Sequence, residues 1–225
     1  MHSDLKGRIE DALRETRYHP DFAKEADHQI KEFIDESKQS GRLESVIEEV
    51  RSRTYDSVLM QEKYFPARLE FLTRLISYLG ERPEPNLAVA EDGCGTGVDL
   101  HVLNVLLADK VTLTGIDKSE ASLAIAKRRV PNVRLIPDFD ESTFDVIYSD
   151  YVSIDGNFIW EIGDRGSKAF YALRSPGIVL QNADMRQLSL YCSFFGQKFS
   201  KTIRPELLAS IEGGHDAYLC RFEKD

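Results

Sequence analysis

The residues best suited to chemistry lie together in Val89-Ala90-Glu91-Asp92-Gly93-Cys94-Gly95-Thr96-Gly97. Glycines at alternate positions let a chain turn tightly, and they let a ligand come up to the backbone without meeting a Cβ. The turn falls where a β-type run (Leu87 to Glu91) hands over to a helical one (about Val98 to Ala108), so a helix N-terminus with unpaired N–H donors follows it. A dinucleotide fingerprint would need glycine at position 98, where this chain has Val98. Taken alone, the turn fits a loop-shaping role as well as a binding one. A second feature narrows the choice. Asp117 stands 20 residues beyond Gly97, at the tip of the run Val111 to Ile116. A carboxylate there can accept both ribose hydroxyls of an adenosine, and Ser119-Glu120 then opens a helix with an N-cap and an early acid.

Two kinds of periodicity position these residues. Before residue 82 the spacing is helical: Leu5, Ile9 and Leu13 form one stripe. Phe22, Ala26, Ile30, Phe33 and Ile34 form a second, started by Pro20-Asp21 and ended near Gly41. Leu43, Val46, Ile47 and Val50 form a third. Phe65, Leu69, Leu72, Ile76 and Leu79 form a fourth, with Pro66 in its first turn and Gly80 as its stop. Arg82-Pro83-Glu84-Pro85 then breaks the helical pattern. Beyond it short β-type runs alternate with helices. The strands are Leu87 to Glu91, Val111 to Ile116, Val133 to Ile136, Phe144 to Ser149 and Ile178 to Gln181. Helices are expected over Val98 to Ala108, Ser119 to Arg129, after Asn157, and about Asp184 to Cys192. That alternation predicts a parallel sheet covered on both faces. Lys198 to Ile203 and Ala217 to Phe222 are expected to form an antiparallel pair at the sheet's edge.

The set Glu91-x-Gly93-x-Gly95-x-Gly97, Gly115-Ile116-Asp117, Phe144-Asp145-Val146-Ile147 and Pro176-Gly177 resembles the class I S-adenosylmethionine-dependent methyltransferases, small-molecule type. The resemblance implies a doubly wound, mostly parallel seven-stranded α/β sheet, a Rossmann-like methyltransferase fold, with the last strand antiparallel. It also implies S-adenosyl-L-methionine as cofactor. Glu91 would lie near the methionine end, and Gly93, Gly95 and Gly97 would admit the cofactor to the backbone. Asp117 would bind the ribose, while Asp138 and Phe139 would meet the adenine. Lys118 replaces a commonly apolar residue, so its alkyl stem would pack on the adenine. Asp92 stands where the pattern is usually apolar.

Methyl transfer from a sulfonium is an in-line displacement that rests on alignment, with a general base needed only for a protonated nucleophile. No catalytic signature is therefore required, and the catalytic residues stay unassigned. No D/N-P-P-Y run follows the fourth strand, where Ser149-Asp150-Tyr151-Val152 stands instead. Asp150 and Tyr151 are the substrate-side candidates, with Trp160 behind them. Residues 1–82 are read as a helical lid or extension on an S-adenosylmethionine-binding domain of residues 83–225. In it Tyr55 and Tyr64, with Arg68 one turn on, would cover the cofactor; a layer that adds only stability or a homodimer contact is the alternative. His19 and His28 are expected to face solvent, and none of the five histidines is read as a base.

Bulk properties limit the partners. The net charge of -9 opposes a phosphate backbone, and Lys127-Arg128-Arg129 is too short a basic run to reverse that, so nucleic acid is excluded. Three cysteines without a CxxC pair argue against a disulfide framework and a metal site. No apolar run approaches the roughly 20 residues that span a bilayer, and the polar start is no secretory signal, so a cytoplasmic protein is expected. Acids crowd the mouth: Glu91, Asp92, Asp117, Asp138, Asp140, Glu141 and Asp150. They suit a cationic or amine acceptor. The rivals to a methyltransferase are a non-catalytic cofactor-binding regulator or assembly factor, and an aminopropyl transferase.

Overall fold

A computed structural model describes residues 2–59, 65–150, 168–169, 171–183, 206–209 and 217–224. Four helices come first: α1 (His2–Glu15), α2 (Ala23–Gln39), α3 (Ile47–Leu59) and α4 (Phe65–Glu81). Short 3-10 turns at Pro20–Phe22 and Leu43–Val46 lead into α2 and α3. The alternating part then runs β1 (Leu87–Asp92), α5 (Val98–Leu107), β2 (Val111–Ile116), α6 (Glu120–Arg129), β3 (Arg134–Ile136), β4 (Phe144–Asp150), β5 (Leu173–Ala183), β6 (Glu206–Ala209) and β7 (Ala217–Lys224).

The strands form one seven-stranded sheet in the order β3-β2-β1-β4-β5-β7-β6. The five strands β1 to β5 are parallel, and β7 runs antiparallel between β5 and β6. Every residue of β1 except the half-buried Ala88 is buried, as a strand covered on both faces requires. The sheet reverses its winding between β1 and β4. The crevice at such a switch point, beyond the strands' carboxyl ends, is where open α/β sheets bind ligands.

Two strands differ from expectation. The fifth begins at Leu173 rather than Ile178. Phe144 pairs with Leu173 and Val146 already with Ile178, so β5 bulges around Pro176 and Gly177, and a bulge is where a strand tolerates proline. The antiparallel partner of β7 is Glu206–Ala209, directly after Pro205. The run Lys198 to Ile203 lies outside the described residues; β7 and β6 form the antiparallel pair expected at the sheet's edge, with β6 outermost. The helices expected after Asn157 and near Asp184 also lie outside them. α4 continues one residue past Gly80, to Glu81.

α1 and α4 share their core with the sheet. Ile9 and Leu13 of α1, Phe71, Leu72 and Leu75 of α4, and Leu87, Val89, Val146 and Tyr148 of the strands belong to one buried cluster. α3 meets α6 through a buried hydroxyl pair, Ser52 to Ser122 at 2.8 Å. His19 departs from the expected solvent exposure. It is buried, stands edge-on to Phe65 at 4.8 Å between ring centroids, and its Nδ1 accepts the Asp21 N–H that opens the first 3-10 turn. His28 is exposed beside Glu32. Among the described residues, no helix is long and apolar enough to cross a membrane.

Candidate functional site

The glycine turn is laid across the end of β2. Gly93 and Cys94 both donate their N–H to the Ile116 carbonyl, at 2.8 and 3.0 Å, and Gly97 N–H donates to the Cys94 carbonyl at 2.8 Å. Three backbone reversals make this possible: φ is +80° at Gly93, +51° at Gly95 and +78° at Gly97. In that region only glycine is unstrained. The last two glycines serve different ends. A Cβ on Gly97 would sit 3.0 Å from the Ala126 Cβ, so this glycine lets α5 start against α6. Among the described residues nothing lies within 4 Å of a Cβ placed on Gly95, so here bare peptide faces space that none of them fills.

Asp117 holds the turn from the other side. One carboxylate oxygen accepts Gly95 N–H at 2.8 Å and the other accepts Ser119 N–H at 2.8 Å, while its own N–H donates to the Ile136 carbonyl. A carboxylate has about four acceptor sites, so each oxygen keeps capacity for a further donor. Ser119 caps α6 through Ser122 N–H.

Beneath the turn, Glu91 is 2% exposed, and its Oε2 accepts the Tyr148 hydroxyl at 2.9 Å. Burial, then the charges of Glu91 and Asp99, push the Tyr148 phenol well above its ordinary value, which keeps it a donor. Arg68 of α4 donates through Nε and an Nη, at 2.8 and 2.7 Å, to one oxygen of Asp99 in the first turn of α5. Both are buried, and the guanidinium lies 4.3 Å from the Tyr18 ring centroid. Arg129 at the end of α6 donates to both the carbonyl and the hydroxyl of Thr96, at 2.9 and 2.7 Å.

No protein-family model matches the chain. A stretch of 51 residues, 22% of the chain, is 43% identical to the uncharacterized phycocyanin operon protein W of Pseudanabaena tenuis (strain PCC 7409). The match spans 47% of that protein, so the chain covers about half the length of this curated relative. Solved structures resemble it more broadly. The N-methyltransferase NodS of Bradyrhizobium japonicum WM9, in complex with S-adenosyl-l-homocysteine, superposes with a TM-score of 0.52 at 16% identity, covering 70% of this chain and 87% of that one. The ribosomal protein L11 methylase of Lactobacillus delbrueckii subsp. bulgaricus gives 0.52 at 16% identity, over 72% and 80%. The precorrin-6y C5,15-methyltransferase of Geobacter metallireducens GS-15 gives 0.50 at 15%, over 67% and 85%. The chain has the class I methyltransferase fold.

On this methyltransferase fold the structure brings Glu91, Gly93, Gly95, Gly97 and Asp117 together at the crevice. Lys118 is exposed beside them. Asp138 and Phe139 follow β3 and are half-buried; one Asp138 oxygen accepts Phe139 N–H and the other pairs with Lys168 Nζ at 2.6 Å. Asp140 is paired with Arg134, and its other oxygen accepts Ser142 N–H at 2.9 Å. That bond and then the Arg134 contact hold its carboxyl below the ordinary value. The mouth is therefore less negative than the row of acids suggests. Asp92 is buried. Asp150 is the last residue of β4, and Tyr55 lies on α3; their side chains fall outside what is described. Tyr64, Tyr151, Trp160 and His215 lie outside the described residues. Among the described residues no group of three metal-ligating side chains comes together.

Sequence reasoning passes over Tyr148, Asp99, Thr96 and Arg129. The signal for one of them is a charged residue, Asp99, between the apolar Val98 and Leu100. Arg68, expected as part of a cover, is buried and pairs with Asp99 of α5. Asp145 plays a structural part, since its Oδ2 accepts Ala88 N–H at 2.8 Å and Arg174 pairs with it from β5.

Proposed function

We infer that the chain binds S-adenosylmethionine and transfers a methyl group to an oxygen or nitrogen of a small-molecule acceptor. The observation that carries this is the pairing of Asp117 with Gly95: a carboxylate with spare acceptor capacity beside bare peptide that faces space no described residue fills. The ribose diol of an adenosine matches that carboxylate, and the open side of Gly95 leaves room for the adjoining chain. When bound, the cofactor would supply an electrophilic methyl on a sulfonium. The residues themselves bind and orient. Asp117 would accept the ribose hydroxyls, Glu91 would offer its carboxylate towards the methionine end with Tyr148 holding it in place, and Phe139 would flank the adenine. Asp138 would have to exchange its Lys168 contact for the adenine edge.

On the substrate side the candidates would be Asp150, the last residue of β4, and Tyr151 after it, with Tyr55 and Tyr64 from the N-terminal part. Residues 1–82 would cover the pocket opened by residues 83–225; a homodimer contact is the competing use of those helices. An amine or cationic acceptor suits Glu91, Asp92 and Asp117, and steeply salt-dependent capture is its signature.

The decisive measurement is calorimetry with S-adenosylmethionine and S-adenosylhomocysteine on the parent and Asp117→Ala, followed by a methylation screen on metabolite extracts. The parent is expected to bind both. Asp117→Ala is expected to bind about a hundredfold more weakly, since two charge-assisted hydrogen bonds are lost. Parent-like affinity in the variant, or no binding by either chain, overturns the proposal. Binding without any methylated product favours a regulator, and transfer from decarboxylated S-adenosylmethionine an aminopropyl transferase.

A further inference from the structure

A cleft of about 220 Å3 lies between the end of α1, α2, α3 and the last turns of α6. Glu91, Gly93, Gly95, Asp117 and Asp138 take no part in its lining, so it is separate from the crevice at the glycine turn. Phe22, Ala26, Ile30 and Ile125 give it an apolar lining, and Arg17, Arg53, Arg128 and Arg129 surround that lining with positive charge against one acid, Glu25. In a chain of net charge -9 this is a local reversal of sign. Two of the arginines come from the N-terminal helices and two from α6, so the cleft is made by packing and not by a run in the sequence.

Arg17 occupies a position that backbone chemistry reserves for glycine. Tyr18 N–H donates to the Leu13 carbonyl and Arg17 N–H to the Arg14 carbonyl, the bond pair that ends α1 in a Schellman turn, and Arg17 takes the left-handed residue of that turn at φ +61°. Glycine would fit there without strain, so the arginine side chain is held at some conformational cost. Its guanidinium pairs with Glu25 and lies over the Phe22 ring. Arg53 pairs with Glu49 and lies over the Phe33 ring. Arg129 is engaged with Thr96, and Arg128 is exposed. A guanidinium has five N–H donors, so the pairings at Glu25 and Glu49 leave donors on both forks.

We propose that this cleft binds a small organic anion, a single carboxylate or phosphate carried on a compact apolar body. The arginines recognise the anionic head, and the lining of Phe22, Ile30 and Ile125 takes the body. The volume falls below the roughly 300 to 1,000 Å3 of pockets for larger ligands, which limits the occupant to a small one.

Calorimetric titration of the full chain with phenyl phosphate tests this, with inorganic phosphate and phenol as the half-ligands. Saturable binding of phenyl phosphate is expected, at least about tenfold tighter than either half-ligand and unchanged by saturating S-adenosylhomocysteine. Arg17→Gly and Arg128→Glu are each expected to weaken it at least about tenfold. Arg17→Gly relaxes the α1 turn, so its melting temperature should equal or exceed the parent's, and lost binding then reports the site and not the fold. No saturable binding, equal affinity for inorganic phosphate, competition by S-adenosylhomocysteine, parent-like binding in both variants, or tighter binding of a glutamate-rich peptide each overturns the proposal.

Discussion

Gly95 and Gly97 look alike in sequence and act through different physics. The φ of Gly97 is positive and the space of its missing Cβ belongs to Ala126, so Gly97→Ala meets both backbone strain and a 3.0 Å contact with another helix. Thermal unfolding of Gly97→Ala should show a loss of about 2 kcal/mol or more, the sum of a left-handed alanine and overpacking. Gly95→Ala carries only the strain, so its stability loss should be smaller while its loss of cofactor affinity should be the larger of the two. Equal stability losses would show that the space around Gly95 is not open. Tyr148 is a fully buried phenol that donates a hydrogen bond to Glu91, a contact that no spacing rule suggests.

α6, α1 and the first 3-10 turn meet their terminal backbone groups in different ways. α6 begins on the Ser119 cap and ends in Lys127, Arg128 and Arg129, which complement the helix dipole. α1 ends on a left-handed arginine. The 3-10 turn at Pro20–Phe22 begins on His19, whose pKa is lowered first by burial and then by the charge of Arg14. The folded protein therefore favours the neutral ring, which Nδ1 needs to accept Asp21 N–H. The stability this contributes is complete above the ordinary histidine value of 6.5 and is lost as the pH falls below it. Melting temperature measured from pH 7.5 to 5 should fall, and His19→Gln should flatten that slope between 6.5 and 5. An unchanged slope would place the proton uptake elsewhere.

Across the whole molecule the N-terminal helices and the sheet are joined by apolar burial and by a buried ion pair. Arg68 reaches from α4 to Asp99 in the first turn of α5, directly after the glycine turn. Arg68→Ala would take the guanidinium away from a carboxylate that has no exposed surface, and should lower the unfolding free energy by about 3 to 5 kcal/mol in denaturant titration. The double variant Arg68→Met with Asp99→Leu should recover most of that loss, because matched apolar groups need no partner. If the double variant is as unstable as Arg68→Ala, the packing of the arginine stem and not its charge is what matters.

From the residues alone the alternating part was legible from β1 through β4, because these strands, α5 and α6 are each set by local signals: a buried strand run, a glycine turn, a serine cap. The conjunction of the glycine turn with Asp117 was legible for the same reason, since a strand-turn-helix unit and the next strand tip lie close in sequence and in space. Only the tertiary structure shows that β5 bulges at Pro176, that His19 is buried under Phe65, and that Arg68 of α4 pairs with Asp99 of α5. It also shows that Asp138 and Asp140 are paired and that arginines from three separate segments surround one cleft. Periodicity specifies which face of an element is apolar; it carries no information on which distant charge meets which, because that depends on how the faces are stacked.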